Sequence, residues 1–267
     1  MIPEISASKV AGFIGLNKYQ NPHEMTYDLL TRDKDIKEKI AEIEKTHNRR
    51  PFNQLVNEIL KEQPIRDCVQ AGLQSCKGTS NIVGVLNEVE AQAKIILSLR
   101  RDAFPVELRK RLAEEVRGQV SKQRGLNNEN KILDTYETTC EVKVTERNTK
   151  TIRKDYGSFK LVGRTDGFVA SENRIVDSKD RTRVWPQVPV YDEIQLRVYM
   201  DMSGATESEL IERFPSGDTR HTKYMNDAEK WKIIQDAIEH GVSLMNLAVE
   251  DPEELKRIVF ANTVPSI

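Results

Sequence analysis

Residues 163–181, GRTDGFVASENRIVDSKDR, set three charged side chains, Asp166, Asp177 and Lys179, inside two runs that otherwise belong in β-strands. Strand interiors disfavour Asp, and Asp and Lys are almost never fully buried unless paired. Any sheet that takes up this segment must therefore compensate them. The runs FKLVGRTDGFVA and NRIVDSKD flank Ser171 and Glu172, which predicts an antiparallel hairpin. With 170 opposite 173, the register sets Asp166 against Asp177, where Cβ atoms are about 4.5–5.5 Å apart and like charges destabilise. Lys179 lies two residues beyond Asp177 and shares its face. Val162, Phe168 and Ile175 make one face apolar, and Leu161, Val169 and Val176 the other, the pattern of a central pair in a covered sheet. Two carboxylates and an ammonium there are costly unless compensated, and a divalent cation would compensate the acids. A surface hairpin with Lys179 in a cross-strand ion pair is the alternative these residues leave open.

Two helical patterns carry polar side chains where apolar ones are expected. In QRGLNNENKILDTYETT (123–139), helical spacing places Leu126, Glu129, Leu133 and Tyr136 on one stripe. In YDEIQLRVYMDM (191–202), Gln195 falls among Tyr191, Ile194, Val198 and Met202. A Glu at the edge of such a stripe or a hydrogen-bonded core Gln would account for either alone.

The opening, SASKVAGFIGLNKYQNPHEMTYDLL, predicts two short helices, capped by Ser6 and by Asn21 with Pro22 in the first turn. Residues 34–118 are charged and helical, with Ile36, Ile40 and Ile43 on one face and Ile82, Val85, Val89, Ala93 and Ile96 on another. They carry no strand signals and are expected to form a helical insertion or subdomain between core segments 1–33 and 119–267. After 119 the order is helix, strands, helix, strands and two helices. A net charge of -1 provides no global basic field, so a nucleic-acid partner would need a local basic patch. Lys122 with Arg124, and Arg181 with Arg183, are candidates for tracking phosphates, or are solvated surface charge. Three scattered cysteines and four scattered histidines provide neither a disulfide framework nor a zinc motif. No apolar signal core and no run long enough to span a bilayer occurs. An intracellular protein that is not secreted and has no membrane partner is therefore expected.

In order, RGLNNENKILDTYE, GRTDGF, RIVDSKDR and YDEIQLRVYM resemble the PD-(D/E)xK nuclease superfamily, and within it the lambda-exonuclease-like (YqaJ-type) viral and phage alkaline exonucleases. The SAS-like opening followed by GLNKYQNP is similar too. The resemblance implies an α/β fold with a restriction-endonuclease-like core, a central mixed β-sheet flanked by helices. It implies Mg²⁺, with Mn²⁺ as a substitute, held by Glu129, Asp166, Asp177 and the carbonyl of Ser178. Lys179 and Gln195 complete the catalytic group, and Ser8 contacts phosphate. The implied activity is hydrolysis of DNA, as an exonuclease on duplex DNA in viral or phage recombination, repair or replication, with a recombination or replication protein or a second copy of the chain as further partners. Asp177 stands where the family most often has Glu. An endonuclease of the same fold and a catalytically silent DNA-binding or structural relative remain as alternatives.

Overall fold

The computed structural model describes residues 1–100 and 104–266. The chain opens with β1 (Glu4–Ser6), a 3-10 turn (Ala7–Lys9), α1 (Val10–Phe13), α2 (Pro22–Leu30) and α3 (Lys34–Thr46). At the start of α2, Asn21 accepts the His23 N–H and Pro22 takes the first helical position, where its missing N–H has no partner to lose. Ser6 makes no side-chain cap; it ends a strand that its neighbours did not advertise. β2 (Arg49–Pro51) leads into α4 (Phe52–Ile59), α5 (Gln63–Ser75), α6 (Ile82–Ser98) and the long α7 (Val106–Cys140). There follow β3 (Thr151–Asp155), β4 (Lys160–Arg164), β5 (Gly167–Val169), β6 (Arg174–Asp180), α8 (Val190–Ser203), β7 (Glu207–Arg213) and β8 (Thr219–Met225). The described chain closes with α9 (Ala228–Glu250), α10 (Pro252–Asn262) and β9 (Thr263–Pro265).

The architecture is mixed α/β. One sheet has the order β1-β4-β3, with β1 parallel and β3 antiparallel to β4. A second has the order β5-β6-β7-β8, in which β6 and β7 are parallel and the outer pairs antiparallel, and β2 and β9 form a two-stranded sheet apart from both. The expected single strand 159–170 is thus two strands, and the chain passes from one sheet to the other at Thr165 and Asp166. The hairpin register is the one its sequence predicts, with Gly167 opposite Val176, Phe168 opposite Ile175 and Val169 opposite Arg174.

Among the described residues, apolar side chains gather in three clusters. The largest joins β1, α1–α3, β4 and α8–α10, around Leu30, Phe159, Leu161 and Val198. A second is built from α4–α7, around Ile65, Leu97 and Leu112. A third packs Leu133 and Tyr136 of α7 on Val169, Val176 and Ile211 of the second sheet. Burial of each such side chain contributes about 1.5–3 kcal/mol. The segment 34–118, expected to be a helical insertion or subdomain, is tied to the rest of the chain at two places. Its first helix, α3, packs in the largest cluster, and β2 pairs with β9 near the far end of the chain. The boundary expected at 118–119 lies within α7, whose residues belong to both the second and third clusters. Among the described residues, no helix is long and apolar enough to cross a membrane.

Candidate active site

The passage between the two sheets builds the site. GRTDG has a glycine at each end because both approaches are too close for a side chain. A Cβ on Gly163 would come 2.5 Å from the Tyr199 ring and 2.9 Å from Ala7 Cβ, and one on Gly167 would come 2.2 Å from Val144 Cγ1. Asp166, left between them, turns its carboxylate to β6. Its Oδ2 accepts the Ser178 N–H at 2.8 Å and the Ser178 hydroxyl at 3.0 Å.

Asp177 is 2% exposed. Lys179 Nζ stands 2.6 Å from its Oδ2, and Gln195 Nε2 lies 3.4 Å from its Oδ1. Gln195 also reaches the Tyr199 hydroxyl, which donates to the Arg164 carbonyl at 2.9 Å. α8 is therefore tied to the end of β4 and to Asp177 by one chain of hydrogen bonds. Glu129, half-buried on α7, accepts from the Asn148 amide.

Burial, then the Asp177 carboxylate, pushes the Asp166 pKa up to about 7; Lys179 opposes that shift and Glu129 adds to it. Burial disfavours the charged Lys179, but Asp177, Asp166 and Asp192 together hold its pKa above the ordinary lysine value. Burial and the nearby Asp177 push the Tyr199 hydroxyl up to about 12. Two acids and one ammonium leave an excess of negative charge in a poorly hydrated place, the condition under which a cation is favoured.

The donors fit a hard divalent ion, since the carboxylates of Asp166 and Asp177 and the Ser178 carbonyl are all oxygen ligands. Among the described residues, no three His, Cys, Asp or Glu side chains converge closely enough to hold a metal by themselves. The Asp166–Asp177 pair would need carbonyl or water oxygens to complete a shell, which suits Mg²⁺.

The structure thus places Asp166 on Ser178, and Lys179 and Gln195 on the adjoining Asp177, with Glu129 close enough to act on Asp166 by charge. Ser8 is exposed on the 3-10 turn, 3.3 Å from Ser6 Oγ, and that turn packs on β4 and α8. Arg183 is exposed. Arg124 and Arg181 are not surface cations. Arg124 is buried against the Asp180 carboxylate at 2.8 Å and donates to the carbonyls of Asp180 and Arg181. Arg181 is buried between Asp192 at 2.6 Å and Glu212 at 2.8 Å. Their donors serve the interior, which replaces the phosphate-tracking role expected of them. Leu126 departs from the expected apolar stripe as well: it is 61% exposed, and Arg124 is the buried side chain of that turn.

Asp192, Tyr199 and Asn148 belong to the site's surroundings and were not apparent in the sequence. Asp192, Gln195 and Tyr199 recur at helical spacing along α8, so the stripe that singled out Gln195 could have found the other two. Asn148 sits in a loop with no periodic signal.

No protein-family model matches the chain, and no curated protein matches it. Its fold is similar to that of the alkaline exonuclease of Laribacter hongkongensis, at 14% identity over 69% of this chain and 88% of that one, with a TM-score of 0.40. That exonuclease is also known in complex with dAMP. A phage-related exonuclease from Haemophilus somnus 129PT is similar at 13% identity over 98% of this chain and 97% of that one, with a TM-score of 0.43. Likeness at this level carries no weight for activity, which rests on the site's own residues. Those residues define a mixed α/β protein with a carboxylate–lysine cluster where one sheet gives way to another.

Proposed function

We propose that the protein hydrolyses phosphodiester bonds in DNA with Mg²⁺ at the cluster of Asp166, Asp177 and Lys179. The observation that carries this reading is the pair of carboxylates held around Ser178, with Lys179 on Asp177 and an oxygen-only donor set. Asp166, Asp177 and the Ser178 carbonyl would hold the ion, with Glu129 supporting it from α7. Bound there, the ion would supply charge stabilisation to the phosphoryl oxygens and acidify water.

The chain's own groups do the rest. Ser178 fixes the Asp166 carboxylate through its N–H and its hydroxyl. Gln195 and Lys179 orient Asp177 from opposite oxygens. Lys179 is kept protonated by its acidic neighbours, so it acts as a fixed positive charge where negative charge develops on the phosphoryl group. Tyr199, anchored to β4, sets the position of Gln195. Ser8 and Arg183 are the proposed phosphate contacts. Following the resemblance in the sequence, the substrate is linear duplex DNA attacked from its ends, in viral or phage recombination, repair or replication.

Incubation of the protein with linear duplex and with a covalently closed circle, in Mg²⁺ or in EDTA, tests the proposal. Mg²⁺-dependent loss of the linear DNA alone is expected. Cutting of the circle at a similar rate would assign an endonuclease, and no cleavage of any DNA would assign a silent relative.

A further inference from the structure

We propose that Tyr19, Trp185 and Tyr191, with Lys18 and Arg183 lying over the first two rings, form a stacking platform for an unpaired base of the DNA strand leading to the site. The proposal rests on the nuclease reading and adds where and how the strand is gripped. Two segments remote in sequence build the platform. Lys18 Nζ lies 5.2 Å from the Tyr19 ring centre and 5.8 Å from that of Trp185. The Arg183 guanidinium lies 4.1 Å from the Trp185 ring centre. Tyr19 and Tyr191 meet edge to face, with centroids 6.1 Å apart.

Tyr19 is 59% exposed, Lys18 and Arg183 are exposed, and Trp185 and Tyr191 are half-buried. The group is also held in place. Pro186 and Pro189 stiffen the segment after Trp185, and the Trp185 carbonyl accepts from Arg220 Nη1 at 2.8 Å. Arg220 is itself held 2.6 Å from the buried Glu212. Tyr191 lies one helical turn before Gln195 on α8, and Gln195 reaches Asp177. The platform therefore adjoins the site.

Aromatic rings already stacked with cations match one ligand chemistry well. The rings stack on a base of any sequence, and the cations meet the phosphates that flank it.

The test uses the full chain in EDTA, where no cleavage interferes. In a Trp231→Phe background, Trp185 is the sole tryptophan, because the chain has two. A short oligothymidylate should quench its fluorescence, and an abasic strand of the same length should not. Independently, Tyr19→Ala and Trp185→Ala should each weaken binding of the labelled oligothymidylate about 5- to 100-fold, the usual worth of one stacked base. This second measurement stands if the Trp231→Phe protein does not fold. Binding by anisotropy without any change at Trp185, and without loss in the two alanine variants, overturns the platform while leaving the nuclease reading intact. Equal quenching by the abasic strand also overturns it, since only backbone contacts would remain. No binding and no cleavage of any DNA in Mg²⁺ would overturn the nuclease reading together with it.

Discussion

Asp166 carries the least favourable charge in the site. Its folded-state pKa of about 7 lies above the ordinary carboxylate value of about 4. A raised pKa means that the metal-free fold is stabilised by protonated Asp166. That contribution is complete below the unfolded value and is lost as pH rises through the folded one. Metal-free protein should therefore lose thermal stability between about pH 4 and pH 7 through this group, and Mg²⁺ should restore it above that range. Asp166→Asn should flatten the pH profile and remove most of the response to Mg²⁺. Thermal unfolding of both proteins, with EDTA and with Mg²⁺, checks this; parallel profiles would contradict it. Arg181 calls for a different readout. Its side chain separates two buried carboxylates, Asp192 and Glu212. Arg181→Met should therefore cost about 3–5 kcal/mol in unfolding free energy, because Asp192 loses its paired cation and Glu212 keeps only Arg220. A variant of unchanged stability whose DNA affinity simply loses about one unit of salt dependence would return Arg181 to phosphate binding.

At the scale of elements, the site depends on β4 lying close against the N-terminal 3-10 turn and α8. Gly163 is where the three meet. Gly163→Ala should force the Tyr199 ring or Ala7 aside at a cost of about 1–3 kcal/mol, and should loosen the Tyr199–Arg164 and Tyr199–Gln195 contacts. Chemical denaturation measures the cost; an unchanged midpoint would mean that the packing is looser than described. Much of this was legible in the sequence. The β5–β6 register followed from period-2 alternation and the short connection, and Asn21–Pro22 announced the start of α2. The break at Thr165–Asp166 was not legible, because a run of strand formers does not say which partner each half will take. β1, β2 and β9 are three-residue strands whose existence depends on distant pairing, so they left no local pattern. The burial of Arg124 and Arg181 was hidden for a related reason. The acids that neutralise Arg181 come from α8 and β7, and Arg124 finds Asp180 across a long stretch of chain, which spacing along one element cannot reveal.

The whole molecule is joined by α7. One end of that helix completes the α4–α6 unit and the other carries Glu129 and packs on the second sheet, so the helical unit and the site should unfold together. Both tryptophans, Trp185 and Trp231, lie outside the α4–α7 cluster. Their fluorescence reports on the rest of the chain, whereas far-ultraviolet circular dichroism reports on all helices. The two thermal transitions should coincide, and Leu112→Ala, a deletion in the helical unit worth about 2–5 kcal/mol, should shift both equally. A fluorescence transition unmoved by that change would make the helical unit an independent module.

Lys179 provides the most direct test of the central claim, since a structural ion pair and a catalytic charge predict different losses. Its side chain is 27% exposed beside a buried Asp177. As a catalytic group, its removal should cost about 10²–10³ in rate while Asp166 and Asp177 still take up the metal. The measurement is single-turnover cleavage of labelled linear duplex in Mg²⁺ by wild type and Lys179→Ala, each shown by circular dichroism to be folded. Cleavage by the wild type and a loss of at least about 100-fold in the variant is the predicted result; near-equal rates in two folded proteins would contradict it.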